Sequence, residues 1–247
     1  MDIPYEMIFK RKSFRRFDES LALSGEELQD IERQVARLIP LEDGIRVNYR
    51  IIPRKQTSSR RGEYCLLMYS EIKEHYLLNA GYLLEQMDLY LAAQDIGACW
   101  YGMGKPEVTH EAGLDFVIML AFGKGRPEEF RKDYTRSRRK DLSVIWKGDS
   151  LMEIAEVARY APSSCNSQPW RVYCDPHRIQ VFRATGIRSI MPASRVPYYN
   201  SIDMGIFLFF LETCLAHTGH SFERTLFPDE GSRADPIPVA SYLMPEG

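Results

Sequence analysis

The chain has 247 residues, 45% of them hydrophobic and 27% charged, and a net charge of −2. A chain of this length can bury a sizeable core as one large domain or two small ones. Its near-neutral balance gives no global reason to bind nucleic acid or an anionic membrane. Cys65, Cys99, Cys165, Cys174 and Cys214 form no CxxC pair, and an odd count leaves at least one unpaired. The stretch from Met1 to Arg16 is amphipathic and basic without an apolar signal core, so a reducing, cytoplasmic setting is expected. The most apolar run, "MGIFLFFLETCLA" from Met204, is too short to span a bilayer and contains Glu212, which leaves a buried helix.

In chain order, a short helical turn precedes "FKRKSFRRFD". A helix then follows in "LSGEELQDIERQVARLI", with Ser24 and Glu27 spaced as a capping box and Leu28, Ile31, Val35 and Leu38 on one face. Pro40 ends it. "IRVNYRIIP" and "EYCLLMYS" read as strands around an exposed polar loop, "RKQTSSRRG". The longest regular element is expected from about residue 72 to 96, apolar on one face, with Gly97 as its C-cap. "ACWYGM" and "FVIMLAFG" read as buried strands, and the charged segment to residue 141 as irregular. After Gly148 the pattern restarts: a helix to Pro162, a loop, the strands "WRVYCD" and "RIQVFRA", an apolar helix over about 202–217, and strands in "SFERTLF" and "IPVASYL". The order after each long helix repeats, which suggests an internal duplication with units 1–147 and 148–247.

Three polar constellations stand out. Arg11, Ser13 and Arg15 point the same way if "RKSFRR" is extended, and two guanidiniums around a hydroxyl would cradle a phosphate; a solvated basic face is the alternative. In "APSSCNSQPW", Ser163, Ser164, Asn166 and Gln168 could read a heteroaromatic edge on a loop stiffened by Pro162 and Pro169. The same composition also suits an ordinary helix-to-strand connection. The basic run "RKDYTRSRRKD" could be a phosphate arm or a solvated loop. Without stacking aromatics it does not suit nucleic acid. Cys165 has no nearby histidine to activate it, "GKGRPE" lacks the third glycine of a dinucleotide loop, and His217 with His220 lacks further metal ligands. No catalytic side chain and no metal site are assigned.

Together these pieces resemble the nitroreductase family of flavin-dependent oxidoreductases. "RKSFRRF" is similar to the family's R-x-S-x-R motif, and "APSSCNSQPW" is similar to its P-S-S-x-N-x-Q-P-W loop. "LLEQMDLYLAAQDIGACWYGM" resembles its central helix and glycine-containing strand, and "FVIMLAFGKG" with "RSRRKDL" its C-terminal strand and basic segment. The resemblance covers most of the chain. One departure is large: the motif ends at Arg15 but the loop begins only at Pro162, whereas typical members place the two close together. A fused pseudo-dimer would account for that displacement.

The resemblance implies an α+β, nitroreductase-like fold, internally duplicated, with mostly antiparallel sheets flanked by helices and two long central helices packed together. It implies FMN, with NADH or NADPH as electron donor and a nitroaromatic or quinone-like acceptor. The implied flavin-binding residues are Arg11, Lys12, Ser13, Arg15, Tyr101, Gly102, one or more of Arg136, Arg138 and Arg139, and Pro162, Ser163, Ser164, Asn166 and Gln168. One flavin per chain and a monomer are expected. A non-catalytic flavin-binding or regulatory protein is the alternative reading.

Overall fold

The computed structural model describes residues 5–228 and 235–245. Its contacts divide the chain into two compact units, residues 1–134 and 135–247. Both are α+β units whose sheets are antiparallel in all pairings but one.

The first unit contains helices α1 (Met7–Lys10), α2 (Gly25–Val35) and α3 (Tyr76–Ala93) and strands β1 (Val47–Pro53), β2 (Tyr64–Ser70), β3 (Ile96–Trp100), β4 (His110–Glu111) and β5 (Leu114–Lys124). Its sheet runs β1-β2-β5-β3, with β4 also on β5. The expected capping box is formed: Ser24 Oγ accepts from the Glu27 amide while the Glu27 carboxylate accepts from the Ser24 amide. Strand β2 is buried along nearly its whole length, as its unbroken apolar run requires of a strand covered on both faces.

Helix α3 starts at Tyr76 rather than residue 72, because His75 takes a left-handed conformation (φ 59°) just before it. Gly97 is not its C-cap. Asp95 makes the left-handed turn (φ 56°), and Gly97 lies inside β3 opposite Gly123. A Cβ on Gly97 would sit 2.4 Å from the Phe14 ring, so the missing side chain makes room for Phe14.

The second unit contains helices α4 (Leu142–Ile145), α5 (Met152–Ala158) and α6 (Val196–His217) and strands β6 (Trp146–Lys147), β7 (Trp170–Cys174), β8 (Arg178–Arg183), β9 (Glu223–Leu226) and β10 (Ile237–Leu243). Its sheet runs β6-β7-β8-β10-β9, and β6–β7 is the parallel pair. Trp170 opens β7 fully buried and stacks on Phe207 of α6, with ring centroids 4.9 Å apart. At 22 residues α6, not α3, is the longest element. It begins six residues before the expected start at residue 202 because Pro197, in its first turn, has a backbone already set for helix and no amide to leave unpaired.

Apart from β4 and β6, the two units share one plan. Each runs helix, loop, strand, strand, long helix, strand, strand, and the sheet order β1-β2-β5-β3 matches β7-β8-β10-β9. The long helices repeat a polar device as well. Asn79, two positions before Gly81 in α3, accepts the Leu41 amide from the loop after α2 (2.9 Å). Asp203, two positions before Gly205 in α6, accepts the Ser164 amide from the loop after α5 (2.8 Å).

Gly148, just after β6, has φ 101°, and a Cβ there would lie 1.9 Å from the Cys174 carbonyl oxygen. Backbone cannot yield as a flexible side chain does, so Gly148→Ala should displace the end of β7. The expected loss is roughly 1–3 kcal/mol in chemical denaturation; an unchanged midpoint would show that the contact relaxes freely.

Candidate functional site

In the second unit the chain leaves α5 at Ala158 and reaches β7 through residues 159–169. Within four positions Cys165 (φ 50°), Asn166 (φ 56°) and Gln168 (φ 47°) all adopt the left-handed conformation that side chains normally avoid. Each such residue costs on the order of 1–3 kcal/mol and persists only where its surroundings enforce it.

The enforcement comes from below and from one side. Below, Asp203 of α6 accepts from the Ser164 amide (2.8 Å), the Ser164 hydroxyl (2.6 Å) and the Ser167 hydroxyl (3.1 Å), and Asn200 also accepts from Ser167 (3.1 Å). At the side, the Lys140 amide donates to Gln168 Oε1 (2.7 Å), and Lys140 Nζ donates to the carbonyls of Ser167 (2.7 Å) and Gln168 (3.1 Å). Inside the loop, Ser163 Oγ accepts the Gln168 amide (3.0 Å).

Electrostatics follow from this burial. Burial pushes the Asp203 carboxyl up to about 7, against the pull of the Ser164 and Ser167 donors. Burial, and then the Arg171 charge, bring Lys140 down to about 8.

The expected loop residues therefore divide by role. Pro162 and Gln168 are buried, Ser163 and Ser164 are half-buried, and all but Pro162 spend polar groups on holding the loop. Asn166, with Cys165, forms the exposed tip. Its amide donates to the Arg138 carbonyl (3.1 Å) and its oxygen accepts from Arg139 Nη1 (3.3 Å). Arg139 Nη2 also donates to the Tyr160 carbonyl (2.8 Å), and its guanidinium lies over the Tyr160 ring. Arg138 and Arg139 thus meet the loop, whereas Arg136 is exposed on the approach to it. Asp203, Asn200 and Lys140 were not singled out from sequence. An aspartate in so apolar a helix was the available signal.

In the first unit, Arg11 and Ser13 lie together, Arg11 Nη2 donating to Ser13 Oγ (3.5 Å). Arg11 is the C-cap of α1 and only 2% exposed. Its Nη2 lies 2.9 Å from Asp88 Oδ2 and its Nε 3.8 Å from Glu85 Oε1, both on α3. Trp100 Nε1 donates to both carboxylates (3.1 and 3.2 Å). Burial raises both carboxyls against the pull of Arg11, and the Asp88 charge helps to push Glu85 well above its ordinary value. Arg11 is therefore buried between these acids and the Ser13 hydroxyl.

Lys12 is turned to Glu129 (3.5 Å) and lies over the Phe14 ring. Ser13 is half-buried and bridges in parallel to Ala98, and Arg15 is exposed. Tyr101 and Gly102 follow β3 half-exposed, and the Tyr101 amide donates to the Met119 carbonyl (3.0 Å). Among the described residues no cluster of metal ligands occurs, and no helix is long and apolar enough to cross a membrane.

The family described as Putative TM nitroreductase matches residues 4–214. A crystal structure described as a putative nitroreductase from Thermotoga maritima MSB8 is similar over 99% of this chain and 93% of its own, with a TM-score of 0.64 at 19% identity. Crystal structures of nitroreductase family proteins also match. That from Clostridium novyi NT covers 54% of this chain and 89% of its own (TM-score 0.42, 16% identity). That from Clostridium difficile 630 covers 57% and 95% (TM-score 0.45, 12% identity). A search of curated proteins finds no match.

Proposed function

Since the chain belongs to the Putative TM nitroreductase family, we propose that it is an FMN-dependent oxidoreductase, with NADH or NADPH as donor and a nitroaromatic or quinone-like acceptor. Family membership by itself supports an oxidoreductase. The observation that carries the finer reading is the strained loop. Three left-handed side-chain residues within four positions, locked by Asp203 and Lys140, are backbone strain held in place at an exposed tip, and strain of this kind clusters at ligand-binding sites.

The donor set fits a flavin ring. Beyond its contacts with Arg138 and Arg139, the Asn166 side chain keeps a second N–H and a second oxygen lone pair at the exposed tip, and the loop beneath it is already ordered, so little conformational entropy is lost on binding. A bound flavin would supply hydride acceptance and onward electron transfer; the residues of the loop would position its polar edge.

The repeated strand order and the Asn79/Asp203 correspondence support an internal duplication. The counterpart of the flavin loop in the first unit, between α2 and β1, reads "ARLIPLEDGIR" and lacks the serines, Asn and Gln of "APSSCNSQPW". One flavin per chain is the expected stoichiometry.

The purified protein, supplemented with FMN, should show a flavin spectrum that bleaches anaerobically with NADH or NADPH. Asn166→Ala should weaken FMN and riboflavin alike, by roughly tenfold, because the lost contacts of about 1.5 kcal/mol face the ring and not the phosphate. A protein that stays colourless with FMN would refute the flavin reading. A flavin that neither nicotinamide reduces would refute turnover and leave a flavin-binding protein.

A further inference from the structure

The polar groups beneath the strained loop are one hydrogen short. Ser167 Oγ lies 3.1 Å from Asn200 Oδ1 and 3.1 Å from Asp203 Oδ2, and a hydroxyl has a single hydrogen for those two acceptors. Ser164 cannot supply the difference. Its amide is spent on Asp203 Oδ1 (2.8 Å) and its hydroxyl on Asp203 Oδ2 (2.6 Å). The cluster is sealed from water, with Ser167 6% exposed and Asn200 and Asp203 3% each. With Asp203 as a carboxylate, one buried acceptor goes without a donor, which is costly away from water. A proton on Oδ2 removes the conflict. Asp203 then donates to Ser167, Ser167 donates to Asn200, and both Ser164 contacts stay as they are.

The surroundings suit the neutral acid. Of the elements packed on α6, α5 carries Glu153 and Glu156, both exposed; β8 carries Arg178 and Arg183; and the turn before α6 carries Arg195. The loop itself carries the exposed Cys165 thiol, and Lys140 reaches the far side of Ser167 through its carbonyl. The Asp203 carboxyl answers to burial, which raises it, and to the Ser164 and Ser167 donors, which pull it back, rather than to these charges.

We infer that Asp203 is a proton-dependent latch, which positions the loop as a neutral carboxylic acid in a relay from Asp203 through Ser167 to Asn200. Opening the loop admits water to the acid, which returns to its ordinary 3.8 and sheds its proton. Rising pH therefore favours the open loop, and the presentation of Asn166 and Cys165 at the tip is tied to pH. The latch belongs to the loop itself and stands whether or not a flavin is its ligand.

The test uses the full chain as wild type, Asp203→Asn and Asn200→Ala. Infrared spectra of wild type should show a protonated-carboxyl C=O band at about pH 6 that fades by about pH 8. Its loss in Asp203→Asn separates it from the raised Glu85 and Asp88 carboxyls. In Asn200→Ala the Ser167 hydrogen is free for Asp203, so the band should fade at a pH lower by about one unit, a fall that burial alone does not give. Amide protection at residues 163–168, corrected for intrinsic exchange, should drop by up to about tenfold per pH unit between about pH 5 and 7 in wild type. It should stay level in Asp203→Asn, whose side chain is neutral throughout. This range lies below the one in which Lys140 loses its proton. A wild-type spectrum that matches that of Asp203→Asn overturns the latch, and so does the same pH dependence of protection in both proteins. An Asn200→Ala band that fades at or above the wild-type pH means that Asn200 turns its amide nitrogen to Ser167, and the relay falls.

Discussion

Replacing Asp203 by alanine is expected to release the strained loop and to cost the second unit about 3–5 kcal/mol. The change removes the acceptor of the Ser164 amide, the Ser164 hydroxyl and the Ser167 hydroxyl together. Each buried donor left unpaired costs roughly 1–3 kcal/mol, and the three left-handed residues would then be held only by Lys140 from the side and Ser163 within the loop. Faster amide exchange across residues 163–168 and a lower denaturation midpoint should appear together; protected amides in the alanine variant would refute the anchoring role. Asp203→Asn behaves differently, since its amide oxygen still accepts from the Ser164 backbone and its nitrogen donates to hydroxyls that can turn. It also removes a titration. The folded carboxyl is raised from its ordinary 3.8 to about 7, so the native state keeps a proton that the unfolded chain has shed. Wild-type stability contributed by this group is therefore fully present below about pH 4 and declines as pH rises towards 7, by up to about 1.4 kcal/mol per pH unit. The asparagine variant should lose that slope.

What the sequence made legible was local, and what it hid was distant. The capping box at Ser24 and Glu27 needs only residues three apart, and the buried strands announce themselves by unbroken apolar runs. The loop "APSSCNSQPW" was visible because its polar groups are contiguous. Its anchor was not, because Asp203 lies 39 positions from Ser164 and sits in a helix chosen for its apolar neighbours. The same distance explains which loop groups face solvent. Serines that could read a ligand on paper are spent on Asp203 and Asn200, and Asn166 keeps the exposed tip. For Arg11 the sequence hid the acids that it meets. Alternation puts Arg11 and Arg15 on one side of a strand, but α1 continues to Lys10 and makes Arg11 its cap, so its side chain turns to acids on α3.

Arg11→Met should therefore act on stability before it acts on any ligand, with an expected loss of about 3–5 kcal/mol. The substitution leaves Glu85 and Asp88 buried without the guanidinium between them, with Trp100 Nε1 still donating to both, and a poorly paired buried charge is what makes breaking such a network costly. The pH dependence has a definite sign. Both carboxyls are already raised in the folded state by burial, and Arg11 is the largest charge that restrains the rise, with Arg131 adding to it at Asp88. Without it they rise further, so the variant is least destabilised at low pH, where both acids are protonated folded and unfolded alike. Its deficit grows as pH climbs above the ordinary carboxylate range. A triple variant, Arg11→Met with Glu85→Gln and Asp88→Leu, takes the charges away together, keeps an acceptor for Trp100, and should recover more than half of the loss, since replacing a whole buried network by packed neutral groups is often close to neutral. If Arg11→Met instead unfolded at the wild-type midpoint at every pH and lost only affinity for phosphate-bearing ligands, the guanidinium would be a ligand contact after all, and its structural role between Glu85 and Asp88 would fall.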